Sequence, residues 1–269
     1  MDISLNNKLS LPEITQETYQ TIVSYPLFCI GISAIPPTLL TLGDIFFGSS
    51  IWNSVVTLIG ACAHPACYGA IAVGVKDIAN EKTPNVLQAL IKGFTSIPSF
   101  ILIGFIFIFL GSFILLIFVA LTQFITAFGL KYTMILPIVF LIILSLILIT
   151  HWCLCIQVIT VEGLGPLASL QRSKELTKDN RSKILFFFLI VYFIVSLVFL
   201  LFFFYFGKSD LSLNSFLQFQ DQEMVFQVFT FIVGIPTNCF LSVALALIYR
   251  YFHSLEESRK VEKLADVLV

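Results

Sequence analysis

Six long apolar stretches alternate with short polar segments along the chain, and none of the six contains an Asp, Glu, Lys or Arg. Each exceeds the ~20 residues that an α-helix needs to cross a ~30 Å hydrocarbon layer. Because lipid cannot hydrogen-bond a bare backbone, such runs favour a bundle of helices. We therefore predict an all-α integral membrane protein. Its six transmembrane helices are expected at about Thr21–Gly43, Ile51–Val75, Ser99–Leu121, Met134–Thr160, Ile184–Gly207 and Met224–Tyr249.

Composition agrees with this class of protein and excludes others. Hydrophobic residues make up 58% of the chain and charged residues 12%, against about 25% charged in a typical soluble domain. No basic block is dense enough to indicate nucleic-acid binding. The first apolar run lacks the basic flank and small-residue cleavage site of a signal peptide, so we expect it to remain as a membrane helix. All six cysteines fall within predicted spans, which argues against a disulfide framework.

The distribution of Lys and Arg predicts the orientation in the membrane. Thirteen of the 15 basic residues lie in the two terminal segments and in the connections after spans two and four. Only Lys131 and Lys208 lie in the alternate connections. Because basic residues are retained on the cytoplasmic side, both termini should be cytoplasmic. We expect a cytoplasmic N-terminal segment over residues 1–20, a transmembrane domain over 21–253 and a cytoplasmic tail over 254–269.

Three segments on the predicted cytoplasmic side open on a proline and continue as short amphipathic helices. Ser10 to Glu13 fits a capping box, Thr83-Pro84 fits an N-cap followed by proline, and Gly165-Pro166 repeats that pattern with a weaker cap. Each segment precedes two spans, which indicates three tandem units of an interfacial helix and a transmembrane hairpin. Such helices either lie in the headgroup layer or only steer the chain into the next span.

The apolar residues of the second and third of these segments recur at helical spacing. In the second segment one face is expected to carry Val86, Leu87, Leu90, Ile91 and Phe94. In the third segment one face is expected to carry Leu167, Leu170 and Ser173, with Arg172, Lys174 and Lys178 facing away.

The segment around the third proline carries the most specific motif in the chain. It has Val161-Glu162-Gly163, followed at fixed offsets by Gly165, Ala168, Arg172-Ser173, Leu176-Thr177 and Asn180-Arg181. This pattern resembles the membrane domain attached to some glycerophosphodiester phosphodiesterases and its stand-alone six-helix prokaryotic relatives. The likeness extends to Leu11–Ile14 and Pro65–Gly69. The chain departs from the family near its end, where Tyr249, Tyr251 and His253 stand in place of a Tyr, an acidic residue and an Arg.

The resemblance implies six helices in a bacterial cytoplasmic (inner) membrane and a structural role for the motif residues. Those residues are Glu162, Gly163, Gly165, Ala168, Arg172, Ser173 and Asn180. It does not imply hydrolase activity, because the catalytic unit of that family is a separate barrel of more than 200 residues. Only twenty residues follow Tyr249 here. We therefore expect a protein that is not an enzyme and binds no cofactor.

Two sets of residues around this motif are candidates for function. The basic residues that follow it could contact anionic lipid headgroups, or they could serve only to retain the segment in the cytoplasm. They are Arg172, Lys174, Lys178, Arg181 and Lys183. Glu162 is either a catalytic base or a structural carboxylate that pairs with Arg172 or Arg181, and the absence of a nearby nucleophile motif favours the structural role.

His64 and His151 are the histidines inside predicted spans, and both should lie at similar depth with cysteines nearby. Imidazole and thiolate ligands suit zinc, copper or haem iron. The spacings match no strong metal signature, and hydrogen bonds between helices would explain the same residues. We favour the structural interpretation.

Taken together, these features favour a non-enzymatic membrane protein that acts as an envelope accessory, a scaffold or a lipid-interacting module. Its expected partners are membrane lipids and other membrane proteins or a second copy of itself, and not nucleic acid. The alternative is a transporter of an apolar or zwitterionic, lipid-like substrate, because spans without charges argue against an ion-coupled pump. A third interpretation is a haem- or metal-binding protein that uses His64 and His151.

Overall fold

The computed structural model describes residues 10–47, 51–127, 144, 146–148, 150–206 and 223–268, and every regular element in these ranges is a helix. We number the helices in chain order. They are α1 Leu11–Ser24, α2 Pro26–Phe47, α3 Ile51–Ala79, α4 Val86–Thr95, α5 Ile97–Ala127, α6 Cys155–Glu162, α7 Pro166–Thr177, α8 Arg181–Phe206 and α9 Glu223–Leu268. The expected all-α class is confirmed for the described residues.

Five of these helices are long and apolar enough to cross a membrane, namely α2, α3, α5, α8 and α9. The count reaches six if the bent pair formed by Leu146–Glu162 and α7 is taken as one span. The first part of the predicted fourth span, residues 134–143 with Pro137 among them, lies outside the described residues. The structure therefore agrees with five or six membrane-spanning helices. The count is six only if the two helices on either side of this bend form one span.

The boundary between α1 and the first span lies later than the sequence predicts. α1 continues past residue 20 to Ser24, and the apolar helix α2 begins at Pro26. Tyr25 between them has φ −130° and ψ 57°. A residue before proline is disfavoured in the helical region, because the proline ring clashes with its backbone. Pro26 therefore separates the amphipathic helix from the membrane helix.

At two of the three predicted helix starts, the observed N-cap differs from the prediction. Ser10 precedes α1, but its side chain makes no capping hydrogen bond, so the predicted capping box is wrong in this respect. The N-cap of α4 is Asn85 rather than Thr83, and its side chain accepts a hydrogen bond from the Gln88 N–H at 3.2 Å. Asn is a better N-cap than Thr, which moves the start past Pro84. At α7 the predicted pair is confirmed, with Gly165 as N-cap and Pro166 at the first helical position.

Helix α3 contributes to all three clusters of buried apolar residues and α9 to two of them. One cluster joins α9 to α6 and α8, one joins α2, α3 and α9, and one joins α3, α5, α6 and α7. Small residues bring two of these helices together: a Cβ at Gly69 of α3 would overlap the Thr160 side chain of α6. By contrast, many large apolar side chains of α5 and α8 are exposed, as expected of helices that face lipid.

Helix α9 is longer than a membrane crossing requires. It has 46 residues, which corresponds to about 69 Å at 1.5 Å per residue, against a ~30 Å hydrocarbon layer. Its apolar half ends near Tyr249, and the remainder carries Arg250, Glu256, Arg259 and Lys260. The predicted tail from residue 254 therefore continues the same helix and extends it beyond the apolar part of the bundle.

Candidate functional site

The sequence motif folds into a sharp turn that brings α7 back against α6. Gly163 ends α6 with φ 72°, and its N–H donates to the Ile159 carbonyl at 3.0 Å. A positive φ strains any residue with a Cβ, so the glycine is required by this geometry. Gly165 and Pro166 then start α7, whose axis is bent by 119° from that of the preceding helix. The turn places Glu162 and Arg172 next to each other.

Arg172 lies at the centre of a network of charged residues, which we call the inner charge cluster: Glu162, Arg172, Tyr249, Glu256 and Lys260. The Arg172 Nε lies 3.3 Å from Glu162 Oε2, and its Nη2 contacts Glu256 Oε2. Tyr249 donates its hydroxyl to Glu162 Oε1 at 2.9 Å, and Lys260 Nζ lies 2.9 Å from Glu256 Oε1. Carboxylates and cations alternate along this chain of contacts, so each carboxylate lies next to a cation. The inner charge cluster thereby links α6, α7 and α9.

Of the two partners that the sequence allowed for Glu162, the structure pairs it with Arg172. The expectation that Arg172 faces away from the bundle is wrong, because only 19% of its side chain is exposed and it points at two carboxylates. Leu167 also departs from its expected face, since it is exposed. The residues that α7 buries are Ser169, Leu170, Ser173, Leu176 and Thr177.

Ser173 connects α7 to a break in the preceding helix. A turn at Cys153 and Leu154 interrupts the helix before α6. The Ser173 hydroxyl donates to the His151 carbonyl at 2.9 Å and accepts from the Leu154 N–H at 3.3 Å. Backbone groups left without partners at a helix break are costly when buried. One serine side chain therefore satisfies a donor and an acceptor that the break exposes.

Two further ion pairs tie neighbouring segments to the extension of α9. Arg250 Nη1 lies 3.6 Å from Glu17 Oε1 of α1, and Arg259 Nη1 lies 3.3 Å from Asp179 Oδ2 in the turn after α7. The second pair is open to solvent, with 54% and 61% of the two side chains exposed. Exposed ion pairs contribute little to stability. The less exposed contacts of Arg172 are therefore the principal link between α7 and the helices α6 and α9.

The five residues predicted to contact headgroups lie in three different environments. Arg172 is engaged within the inner charge cluster, and Arg181 donates from Nη2 to the Lys174 carbonyl at 3.2 Å. Lys174 and Lys178 have exposed side chains on one face of α7 and its C-cap, and neither forms an ion pair with a described residue. Lys183 is partly buried near the start of α8. Lys174 and Lys178 are therefore the members of the set that are free to meet an external anion.

The remaining motif residues occupy distinct environments. Ala168 is exposed on α7. Asn180 is 9% exposed at the turn before α8, and its carbonyl accepts from the N–H groups of Lys183 and Ile184, each at 3.1 Å. Asn180 therefore fixes the start of α8 through its backbone.

His64 and His151 contact different neighbours. The His64 ring lies 4.9 Å from the Tyr68 ring and within hydrogen-bonding reach of the Asn238 side chain, and Tyr68 donates to Asn238 at 3.3 Å. His151 Nδ1 lies 2.7 Å from the carbonyl of Ile147 in its own helix. In the part of the chain that the structure describes, no group of three or more His, Cys, Asp or Glu is placed to hold a metal. These contacts favour the interpretation of both histidines as hydrogen-bonding residues.

Sequence reasoning missed Tyr249 and Glu256 as members of the inner charge cluster. Tyr249 stands out in the sequence only where the chain departs from the family pattern that it resembles, and Glu256 falls within the predicted tail. Their spacing of seven residues places both on one face of a helix. Had the sequence been interpreted as one helix that continues beyond the last apolar span, this spacing would have placed Tyr249 and Glu256 together.

Comparison of the chain with protein-family models, with curated proteins and with solved structures found no match.

Proposed function

We propose that the chain is a non-enzymatic, multi-pass protein of the cytoplasmic (inner) membrane that interacts with lipid and acts as an accessory or scaffold of the envelope. In this proposal both termini are cytoplasmic, and the protein is similar to the membrane domain of glycerophosphodiester phosphodiesterases without the catalytic barrel. The support comes from α4, α7 and the extension of α9, which this proposal places at the membrane surface.

The orientation of α4 is the observation that carries the proposal. Its small residues Ala89 and Gly93 are buried, and a Cβ at Gly93 would overlap the Ala66 carbonyl oxygen of α3. Its large apolar residues therefore face outward: Leu87 is 67% exposed and Ile91 is 54% exposed. An interfacial helix that packs against the protein through small residues and turns its bulky face outward is suited to insertion between lipids.

Exposed basic residues lie on α4 itself and, separately, at α7. Lys92 on α4 and Lys174 and Lys178 at α7 are exposed. Each lysine close to an anionic leaflet contributes roughly 1 kcal/mol to attraction. The apolar face of α4 and the lysines of α7 would thus combine insertion with recognition of headgroup charge.

The inner charge cluster supports the scaffold part of the proposal. It links α7 to α6 and α9 through Arg172, while Arg250 links α1 to α9 through Glu17. Interfacial helices held in this way form a fixed surface rather than independent anchors. Such a surface is suited to hold lipids or neighbouring membrane proteins in a defined arrangement.

Lipid retention measured on the purified full-length protein tests this proposal. The protein is incubated with equal amounts of phosphatidylglycerol and phosphatidylcholine, and native mass spectrometry measures the lipids that it retains. The double variant Lys174→Gln/Lys178→Gln should retain phosphatidylglycerol less well. Two lysines at about 1 kcal/mol each correspond to an effect of up to about thirtyfold.

The matched control is Lys76→Gln/Lys82→Gln, which removes the same charge from the end of α3 and the following loop, where both lysines are exposed. The proposal predicts that this control keeps most of its phosphatidylglycerol. Equal losses in both double variants, or no loss in either, would contradict a headgroup-binding role of the α7 lysines.

A further inference from the structure

A cavity lies between α7, the turn that follows it and the extension of α9. Its volume is about 140 Å³, well above the ~10–15 Å³ that a single water molecule requires. It is also smaller than the ~300 Å³ at which pockets for drug-sized ligands begin. A cavity of this size suits the polar headgroup of a lipid, or a soluble molecule of similar size, and excludes a whole lipid.

The walls of this cavity carry more negative than positive groups. The charged lining residues are Arg172, Glu175, Asp179, Glu256 and Arg259. Arg172 is paired with Glu256, and Arg259 is paired with Asp179. Glu175 has no ion-pair partner among the described residues and accepts one hydrogen bond from Gln171 Nε2 at 3.1 Å. The extra carboxylate favours a ligand that brings a cation.

Asn180 provides a second and independent indication of a ligand. It lines the cavity and is only 9% exposed. Its backbone N–H and carbonyl are both bonded within the chain, so its side-chain amide is the group that can meet a ligand. A side-chain amide offers a ligand two N–H donors and one acceptor oxygen. A ligand oxygen or a ligand ammonium group in the cavity would satisfy it.

The remaining walls distinguish between classes of ligand. Leu176, Phe252 and Leu255 form the apolar part of the lining, which suits a short hydrocarbon linker. The guanidinium of Arg259 is more than half exposed and can donate hydrogen bonds to a phosphate besides its contact with Asp179. A ligand with an ammonium group at one end, an ethylene linker and a phosphate at the other matches Glu175, the apolar wall and Arg259 in turn.

We propose that this cavity binds a phosphoethanolamine group. The source that we favour is the headgroup of phosphatidylethanolamine in the inner leaflet, and this choice rests on the proposed lipid-interacting function. A primary ammonium donates three hydrogen bonds to carboxylates and amide oxygens. A choline group cannot donate any, so phosphatidylcholine binds more weakly although its phosphate is the same.

Competition between these two lipids tests the proposal on the full-length protein. Native mass spectrometry compares retention of phosphatidylethanolamine and phosphatidylcholine with identical acyl chains. The wild-type protein should prefer phosphatidylethanolamine. Glu175→Gln should reduce that preference by about tenfold, since a charge-assisted hydrogen bond is roughly twice as strong as a neutral one. Asp179→Asn removes a second carboxylate from the cavity lining and should reduce the preference in the same direction.

Glu257→Gln is the control, because Glu257 is exposed and lies outside the cavity lining. It should leave the preference unchanged. Equal retention of the two lipids by the wild-type protein would overturn the lipid headgroup as the source. If free O-phosphoethanolamine did not bind either, the whole proposal would be overturned. A preference that persists in both Glu175→Gln and Asp179→Asn would overturn the proposal outright.

Free O-phosphoethanolamine, added at millimolar concentration, distinguishes the two sources of the group. If it displaces the lipid, the site recognises the headgroup itself. If it binds in a Glu175-dependent manner and the lipid does not, the source is a soluble molecule. Phosphatidylglycerol retention in Lys174→Gln/Lys178→Gln remains a separate readout of the proposed function, so the two proposals can fail independently.

Discussion

The inner charge cluster predicts a specific loss of stability when Arg172 is replaced by methionine. Arg172→Met keeps a long side chain that can fill the same space and removes both the charge and the hydrogen bonds. It leaves the carboxylates of Glu162 and Glu256 next to each other without the guanidinium that separates them. The substitution therefore tests whether α7 is held to α6 and α9 by this one side chain.

The expected magnitude follows from the exposure of the three side chains. They are 19% exposed in Arg172, 17% in Glu162 and 30% in Glu256. Hydrogen bonds to charged groups contribute about 1.5–3 kcal/mol when buried, and exposed ion pairs contribute about 0–1 kcal/mol. An intermediate value of about 1 kcal/mol for each contact gives a loss of about 2 kcal/mol. For a chain of this size that lowers Tm by about 4–8 °C.

Thermal unfolding of the detergent-purified protein, followed by intrinsic tryptophan fluorescence, measures this change. The matched control is Arg259→Met, since Arg259 pairs with Asp179 at the same 3.3 Å spacing but in an exposed position. Its Tm should fall by no more than about 2 °C, as expected for an exposed pair. Equal Tm values for the two variants would refute the assignment of Arg172 as the principal link between α7 and α9.

Two further substitutions test neighbouring contacts. Tyr249→Phe removes the hydroxyl that donates to Glu162 at 2.9 Å and should destabilise the protein by about 1 kcal/mol; Tyr19→Phe, at an exposed position, should have no effect on Tm. Gly93→Ala places a methyl group against the Ala66 carbonyl oxygen and should cost about 1–3 kcal/mol of unfolding free energy. Gly104→Ala in α5, where a Cβ meets nothing within 4 Å, should be neutral or stabilising, and similar losses at both glycines would show that α4 is not closely packed on α3.

The helices themselves were predictable from the sequence, because a run of more than twenty residues without a charge has few alternatives to a membrane helix. Their ends were less predictable. Ser10 and Thr83 both have the chemistry of an N-cap, yet Ser10 makes no capping bond and Asn85 replaces Thr83. Capping depends on where the backbone leaves the extended conformation, and a nearby proline shifts that point by one or two residues.

The candidate site was predictable only in part. The motif identified Glu162 and Arg172 as a possible pair, since they carry opposite charges and lie on either side of the glycine-containing turn, ten residues apart. The contribution of α9 was not predictable, because Tyr249 and Glu256 are 87 and 94 residues from Glu162 in sequence. Contacts over such separations depend on how the helices pack, which hydrophobic periodicity alone does not determine. The outward orientation of α4 depends in the same way on the close approach of Gly93 to α3.

The membrane topology is the central claim of this account, because it places the inner charge cluster, the α7 lysines and the cavity on one side of the membrane. Single cysteines introduced at Asn214 and at Ser258 can be labelled on intact cells with a maleimide that does not cross the membrane, with the unmodified protein as background. We predict labelling at position 214 in intact cells and at position 258 only after the membrane is opened. Labelling at position 258 in intact cells, with position 214 protected, would contradict the account.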